Sequence, residues 1–158
     1  MELRVLTIRD REIMTALFRD VFTHEPWNDD WSDEKQLEAY ISDLAGQHYS
    51  LSLGYFDGDR LAALSMGHVK HWYTGTEYLI DEFCVDRQMQ GKGVGSRFMK
   101  AIEAYLAENG IRQIYLQTEK DVPAYAFYRK NGFTELAGHV SFARRVAEQA
   151  EDPAAPSR

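Results

Sequence analysis

Three glycines fall within five positions of QGKGVGSRFM, Gln90 to Met99, and an apolar helical stripe begins directly behind them. Glycine loses more backbone freedom on folding than any other residue, so such a cluster implies a close approach to the backbone. A phosphate-bearing ligand carried past a helix start is the chemistry that fits, and three kinds compete. The dinucleotide fingerprint needs a third glycine where Ser96 stands, and its acid comes too late, at Gln117-Thr118-Glu119. The triphosphate loop needs a Lys-Ser or Lys-Thr pair after its last glycine, but Gly95 is followed by Ser96-Arg97. What remains is a strand ending near Asp86, a glycine-rich bend and a helix start. Its unpaired amides and positive dipole end can hold a pyrophosphate by backbone hydrogen bonds, with Lys92 and Arg97 adding positive charge. A glycine turn that binds nothing is the plain alternative.

A second stretch with chemistry is Glu25-Pro26-Trp27-Asn28-Asp29-Asp30-Trp31. From Glu25 to Asp43 there are seven acids against one base, Lys35. Tryptophans interleaved with acids suit a cationic amine, through charge pairing and cation–π contact. The same residues also read as Trp27 and Trp31 pinning a loop to the core while the acids cap a helix. His71-Trp72-Tyr73 is placed to line the same cleft from the third strand. Cys84 is the single cysteine and the five histidines are scattered, so no metal site is expected. A net charge of −7 argues against nucleic-acid partners. No run reaches the roughly 18 apolar residues of a membrane span. MELRVLTIRD alternates apolar and charged residues, unlike a signal or transit peptide, so a cytoplasmic protein is expected.

The elements that must position these residues follow from periodicity. ELRVLTIR is a strand. Ile13, Ala16, Leu17 and Val21 recur at helical spacing behind Asp10, and Leu37, Tyr40, Ile41 and Leu44 do so behind Ser32 or Asp33, up to Gly46. HYSLSLGYFDGDRLAALSMGHVKHW reads as two strands about Asp57-Gly58-Asp59, and EYLIDEFCV as a third. Val94, Phe98, Ile102, Tyr105 and Leu106 mark a helix ended by Asn109-Gly110. IRQIYLQT is a short strand, and Asp121 is placed to cap a helix over roughly 122–130, with Pro123 in its first turn. FTELAGHVSFARRV finishes as two strands, and residues 147–158 form a polar, proline-bearing tail expected to be flexible. The order implies a single α/β domain over 1–146 with a mixed sheet.

Gln90-x-x-Gly93-x-Gly95 resembles the acyl-CoA pyrophosphate motif of the GNAT superfamily of N-acetyltransferases. Ala124-x-x-Phe127-Tyr128-x-x-x-Gly132-Phe133 resembles that family's later helix–strand motif. The likeness runs from Glu2 to Val146. It implies a GNAT-like, mostly antiparallel sheet of six to seven strands, flanked by about four helices and splayed between strands four and five. Acetyl-CoA is then the donor, with no metal. The backbone of Phe83, Cys84 and Val85 would pair with the pantetheine arm, and Gln90, Gly91, Lys92, Gly93, Val94, Gly95 and Ser96 would surround the pyrophosphate. Ala124 and Phe127 belong to the same cofactor side. Asp121 stands where the family often has an asparagine, and a carboxylate cannot donate the amide's hydrogen bond.

The resemblance implies transfer to a primary amine by direct attack through a tetrahedral intermediate. The amine, with a pKa of about 10, must lose a proton first. Tyr128 matches the family's tyrosine, which protonates the leaving thiolate. For the base, Asp81 and Glu82 are neighbours on a strand and point to opposite faces, although a bulge can redirect either. Ile80-Asp81-Glu82-Phe83 resembles a segment of some aminoglycoside 6'-N-acetyltransferases, which favours Asp81 as the amine-binding carboxylate. The family's acceptor wall lies between the first two helices, which assigns substrate contacts to Trp27, Asp29, Asp30 and Trp31, joined by Trp72 and Tyr73. A small cationic amine is the leading acceptor; a protein or peptide amine, or an acyl-CoA-binding module without turnover, are the alternatives. Homodimers are common in the family, and no interface is legible here.

Overall fold

The computed structural model describes residues 1–146. The expected tail at 147–158 lies outside the described residues. Strand β1 (Glu2–Leu6) leads into helices α1 (Arg11–Phe22) and α2 (Glu34–Ala45). Strands β2 (Ser50–Asp57), β3 (Arg60–Trp72) and β4 (Gly75–Val85) follow. Helix α3 (Val94–Glu108), strand β5 (Gln113–Leu116) and helix α4 (Pro123–Lys130) complete the order. One sheet runs β1-β2-β3-β4-β5. Its pairs are antiparallel up to β4, and β5 joins β4 in parallel. None of the helices is long and apolar enough to cross a membrane.

The expected hairpin forms: Asp57 pairs with Arg60, and Gly58 takes φ 61° between them. Asp33 caps α2, its carboxylate accepting from the amides of Lys35 and Gln36. Asp10 does not cap α1 with its side chain; it accepts instead from the amide and hydroxyl of Thr7, closing the turn before the helix. At α4 the cap position falls on Val122, which cannot bond the first amides, and Asp121 lies one residue outside.

Two cores flank the sheet. Met14, Leu17, Phe18, Val21 and Phe22 of α1 join Leu37 and Ile41 of α2 over one face. Val94, Phe98, Met99, Ile102 and Leu106 of α3 cover the other. Fully buried side chains such as Phe18, Phe98 and Leu64 each contribute roughly 1.5–3 kcal/mol by leaving water. The α1 stripe is rotated from the expected one: Ile13 and Ala16 face solvent because the bulkier Met14 and Phe18 take the core positions.

The sheet has five strands among the described residues, not six to seven. The expected final strands over FTELAGHVSFARRV do not form. A turn, in which the His139 amide donates to the Leu136 carbonyl, interrupts the segment, and Val140 and Phe142 are 75% and 93% exposed. Alternating apolar residues make a strand only where a neighbouring ladder takes up their backbone groups. Here the segment meets the end of β5 through a side-chain bond, Gln117 Nε2 donating to Ser141 Oγ at 3.2 Å, and joins no ladder.

One irregularity governs the site. Met66 pairs with Glu82 and Gly67 with Ile80, so Asp81 has no partner in β3 and forms a bulge. The extra residue reverses the side-chain alternation of β4. Tyr78 and Ile80 join the α3 core before it; after it, Phe83 and Val85 pack there while Cys84 turns to the α1–α2 core. Gly67 permits this, since a Cβ at that position would stand 1.9 Å from the Leu79 carbonyl oxygen. Behind the bulge, the Tyr78 hydroxyl meets Ser65 Oγ at 2.8 Å and donates to the Leu51 carbonyl at 3.1 Å, tying three strands together.

Candidate active site

The parallel ladder between β4 and β5 ends at Ile80 and Leu116. Beyond it β4 continues to Val85, paired with β3 on one side and with no strand on the other. The peptide groups of residues 81–85 therefore include donors and acceptors aimed into a gap, the arrangement that takes up an extended ligand as an added strand.

The glycine stretch begins where this edge stops. Asp86 accepts from the Gln88 amide at 2.9 Å and from Arg60 at 2.7 Å, while Gln90 Nε2 donates to the Val85 carbonyl at 3.0 Å. Gly91 and Gly93 have φ of 72° and 74°, the left-handed region that side chains disfavour. Gly93 is the cap residue of α3 and offers no side-chain bond, so the amides of Val94, Gly95 and Ser96 have no partner within the helix. Gly95 serves packing: a Cβ there would lie 3.1 Å from the Phe127 ring and 3.3 Å from Val85. The Arg97 guanidinium donates to the Lys92 carbonyl at 3.2 Å, holding its charge at the loop.

Across the gap, α4 supplies aromatic rings. Phe83 stacks on both Phe98 and Phe127 at 5.4 Å, and Tyr128 sits edge-on to Phe127 and Phe133. The Tyr128 hydroxyl makes no hydrogen bond within the described residues. Burial, with the nearby Glu82 carboxylate and Cys84, pushes its pKa above the ordinary phenol value, so it keeps its proton at neutral pH. Cys84 is buried, and burial first, then Glu82, raises its thiol likewise; it has no thiolate to offer.

The bulge separates the two carboxylates. Asp81, carried on the bulge, accepts from or pairs with His68 Nδ1 at 3.0 Å and is partly exposed. Glu82 is half-buried and accepts the hydroxyl of Tyr40 from α2. Glu82, not Asp81, is the carboxylate felt by Tyr128. Strand alternation alone places one of the two on each face, yet both meet side chains of the α1–α2 face: His68, two residues along from Met66, and Tyr40. Tyr40 is legible in the sequence only as part of an apolar stripe, and His68 carries no spacing that marks it.

The loop between α1 and α2 is fixed by its tryptophans. Trp27 lies against Phe22 at 5.7 Å; Trp31 meets Phe18 edge-on and stacks on Tyr40 at 5.1 Å. Trp31 Nε1 is buried without a partner among the described residues. Asp30 turns back to Ser32, whose hydroxyl first and then its amide lower the Asp30 pKa, while the Asp29 side chain is exposed. Trp31, Tyr40 and Glu82 thus form a connected series, whereas Trp72 and Tyr73 lie elsewhere, at the exposed tip of the β3–β4 hairpin. Trp72 is six residues from Met66, about 20 Å along the strand, and its ring carries Lys70 Nζ at 4.2 Å. No group of three or more potential metal ligands occurs among the described residues.

Residues 11–133 match the family described as Acetyltransferase (GNAT) family. The chain is 29% identical over 114 residues to the spermine/spermidine N(1)-acetyltransferase of Bacillus subtilis (strain 168), covering 68% of this chain and 74% of that protein. An aminoglycoside acetyltransferase, meta-AAC0020, from an uncultured soil metagenomic sample in complex with sisomicin superimposes with a TM-score of 0.71 at 20% identity, over 92% of this chain and 96% of that one. AAC(6')-Iy, in complex with the bisubstrate analog CoA-S-monomethyl-acetylneamine, does so with a TM-score of 0.68 at 15% identity, over 92% and 98%. At these identities the two structures speak for the fold. The family match spans the open edge of β4, the glycine-rich start of α3 and Tyr128 alike, and with it the chain belongs to the GNAT family of acetyltransferases.

Proposed function

We propose that this protein moves an acetyl group from acetyl-CoA to a primary amine of a small cationic molecule, directly, in a ternary complex. The observation that carries this reading is the unpaired edge of β4 at 81–85, which runs straight into the bare amides of α3. The residues fit the donor: Gly91 and Gly93 turn the backbone toward the helix start, whose first amides have no partner within the helix, and Gly95 lets Phe127 and Val85 pack close behind it. Bound there, acetyl-CoA supplies an activated thioester whose carbonyl carbon the amine nitrogen attacks and whose C–S bond breaks.

The protein's own groups then manage charge and protons. Amides of the β4 edge donate to the carbonyl oxygen as negative charge builds on it. Glu82, held by Tyr40, takes the proton the amine loses, directly or through a water. Tyr128, kept protonated by its burial, gives its proton to the departing sulfur. Direct transfer is supported by Cys84: the one thiol of the chain is buried and protonated, so it is unsuited to carrying the acyl group. Trp31 and the exposed Asp29 border the acceptor, in keeping with the acids around them. The polyamine and aminoglycoside acetyltransferases among the similar proteins support a small polycation.

The test is release of free thiol from acetyl-CoA across a panel of amines and peptides. Turnover on small cationic amines, with kcat lowered tenfold or more in Tyr128→Phe, is expected. Turnover confined to peptides would move the acceptor class, and CoA binding without any turnover would make the protein an acyl-CoA sensor.

A further inference from the structure

A cleft of about 840 Å³ opens beside the bulge at Asp81, and the groups given the chemistry above lie outside its lining. Asp81, His68 and Asp43 of α2 line it, together with the exposed Tyr49 ring, which stands edge-on to His68 at 5.9 Å. It is linked to the reacting carboxylate through neighbouring residues. Asp81 adjoins Glu82 in sequence, and Asp43 lies three residues beyond Tyr40 on α2, about one turn, or roughly 5 Å, farther along. From His68 to His71 the cleft follows β3 for about 10 Å.

Its charges are arranged for a cation. Asp43 and Asp81 are both carboxylates with exposed surface. The one formal cation of the lining is Lys70, and its ammonium is drawn over the Trp72 ring toward the hairpin tip. His71 is bonded to Thr76 on the neighbouring strand. The lining also carries apolar and aromatic side chains, among them Leu44, Leu51 and Tyr105, which suits methylene spacers.

We propose that this cleft is a subsite for a second ammonium group of a di- or polycationic acceptor, held between Asp43 and Asp81 beside Tyr49 while the reacting amine stands at Glu82. The proposal rests on the amine-acetylation reading and adds to it a reason for the acceptor to carry two charges. His68 acts as a positioning residue, fixing the Asp81 carboxylate at the cleft wall.

The experiment compares kcat/KM of the full chain for a straight-chain monoamine, the diamine of equal length and a longer triamine. The triamine is expected to exceed the monoamine by about tenfold or more, through a lower KM. In Asp43→Asn and in Asp81→Asn that ratio is expected to fall by up to about fivefold each, the range of a partly exposed charge pair. Raising ionic strength should compress it in the wild type. Equal kcat/KM for monoamine and triamine, or a ratio unmoved by both substitutions, overturns the subsite. Should no amine be acetylated, the function fails separately, and calorimetry of the triamine with CoA-bound protein decides the subsite: binding weakened by Asp43→Asn supports it, and absent or unaltered binding removes it.

Discussion

The two sides of the proposed site, donor and acceptor, are built from different materials. The donor side, residues 81–96, is mostly backbone: an unpaired strand edge, two glycines with positive φ and a helix start. The acceptor side is made of side chains gathered from afar, with Trp31, Tyr40, Glu82, His68 and Asp43 coming from β3, β4, α2 and the loop before α2. A backbone site needs particular residues at fixed local spacing, because glycine takes those angles at the least cost and leaves that room. A side-chain site needs only that distant elements meet, and many sequences achieve that. The first kind is therefore written in a short stretch of sequence and the second is not.

Gly67 holds the two sides together, so its replacement should have the largest effect. Gly67→Ala drives a Cβ into the Leu79 carbonyl, and the bulge must move or the strands part. A loss of about 3 kcal/mol in unfolding free energy by denaturant titration is expected, with activity reduced toward both substrates. A neutral result would mean that β4 needs no bulge to aim Glu82 and Phe83 as it does.

Substitutions on one side only should separate the Michaelis constants. Gly95→Val crowds Phe127 and Val85 and should raise KM for acetyl-CoA about tenfold, leaving that for the amine within twofold. Asp29→Asn should do the reverse more weakly, a two- to fivefold rise in acceptor KM, as suits an exposed carboxylate. If each substitution moved both constants alike, the division into two sides would be wrong.

That contrast also explains what the sequence could tell. Gly91, Gly93, Gly95 and the run from Ala124 to Phe133 were legible because spacing along one segment carries them. The Asp57–Arg60 hairpin was legible for the same reason. The bulge at Asp81 was not, since it exists only in the register of β4 against Gly67. Alternation alone put Asp81 and Glu82 on opposite faces, and one extra residue undid that. Trp27 and Trp31 read as binding wall or as anchor, and their packing on Phe22, Phe18 and Tyr40 had no mark in the sequence, because those contacts join separate elements. The final segment failed differently: Val140 and Phe142 have strand-like spacing but are exposed and join no ladder of the sheet.

The smallest effect expected is in alkaline stability. Cys84, Tyr78 and Tyr128 all have pKa values raised by burial, so the folded state keeps protons that the unfolded chain releases. Their stabilisation is intact below the unfolded values, roughly 8.5 for the thiol and 10 for the phenols. It should decline as pH rises above them. Cys84→Ala should delay the onset, and an unchanged profile in that variant would deny the thiol its part.

The most direct test is amide hydrogen exchange with and without CoA. New protection is expected only at the β4 edge, 81–85, and at the amides of 93–97, with little change in the loop at 25–31 or beside Asp43. Protection that appeared around Trp31 and Asp43 while 81–85 and 93–97 exchanged as before would contradict it.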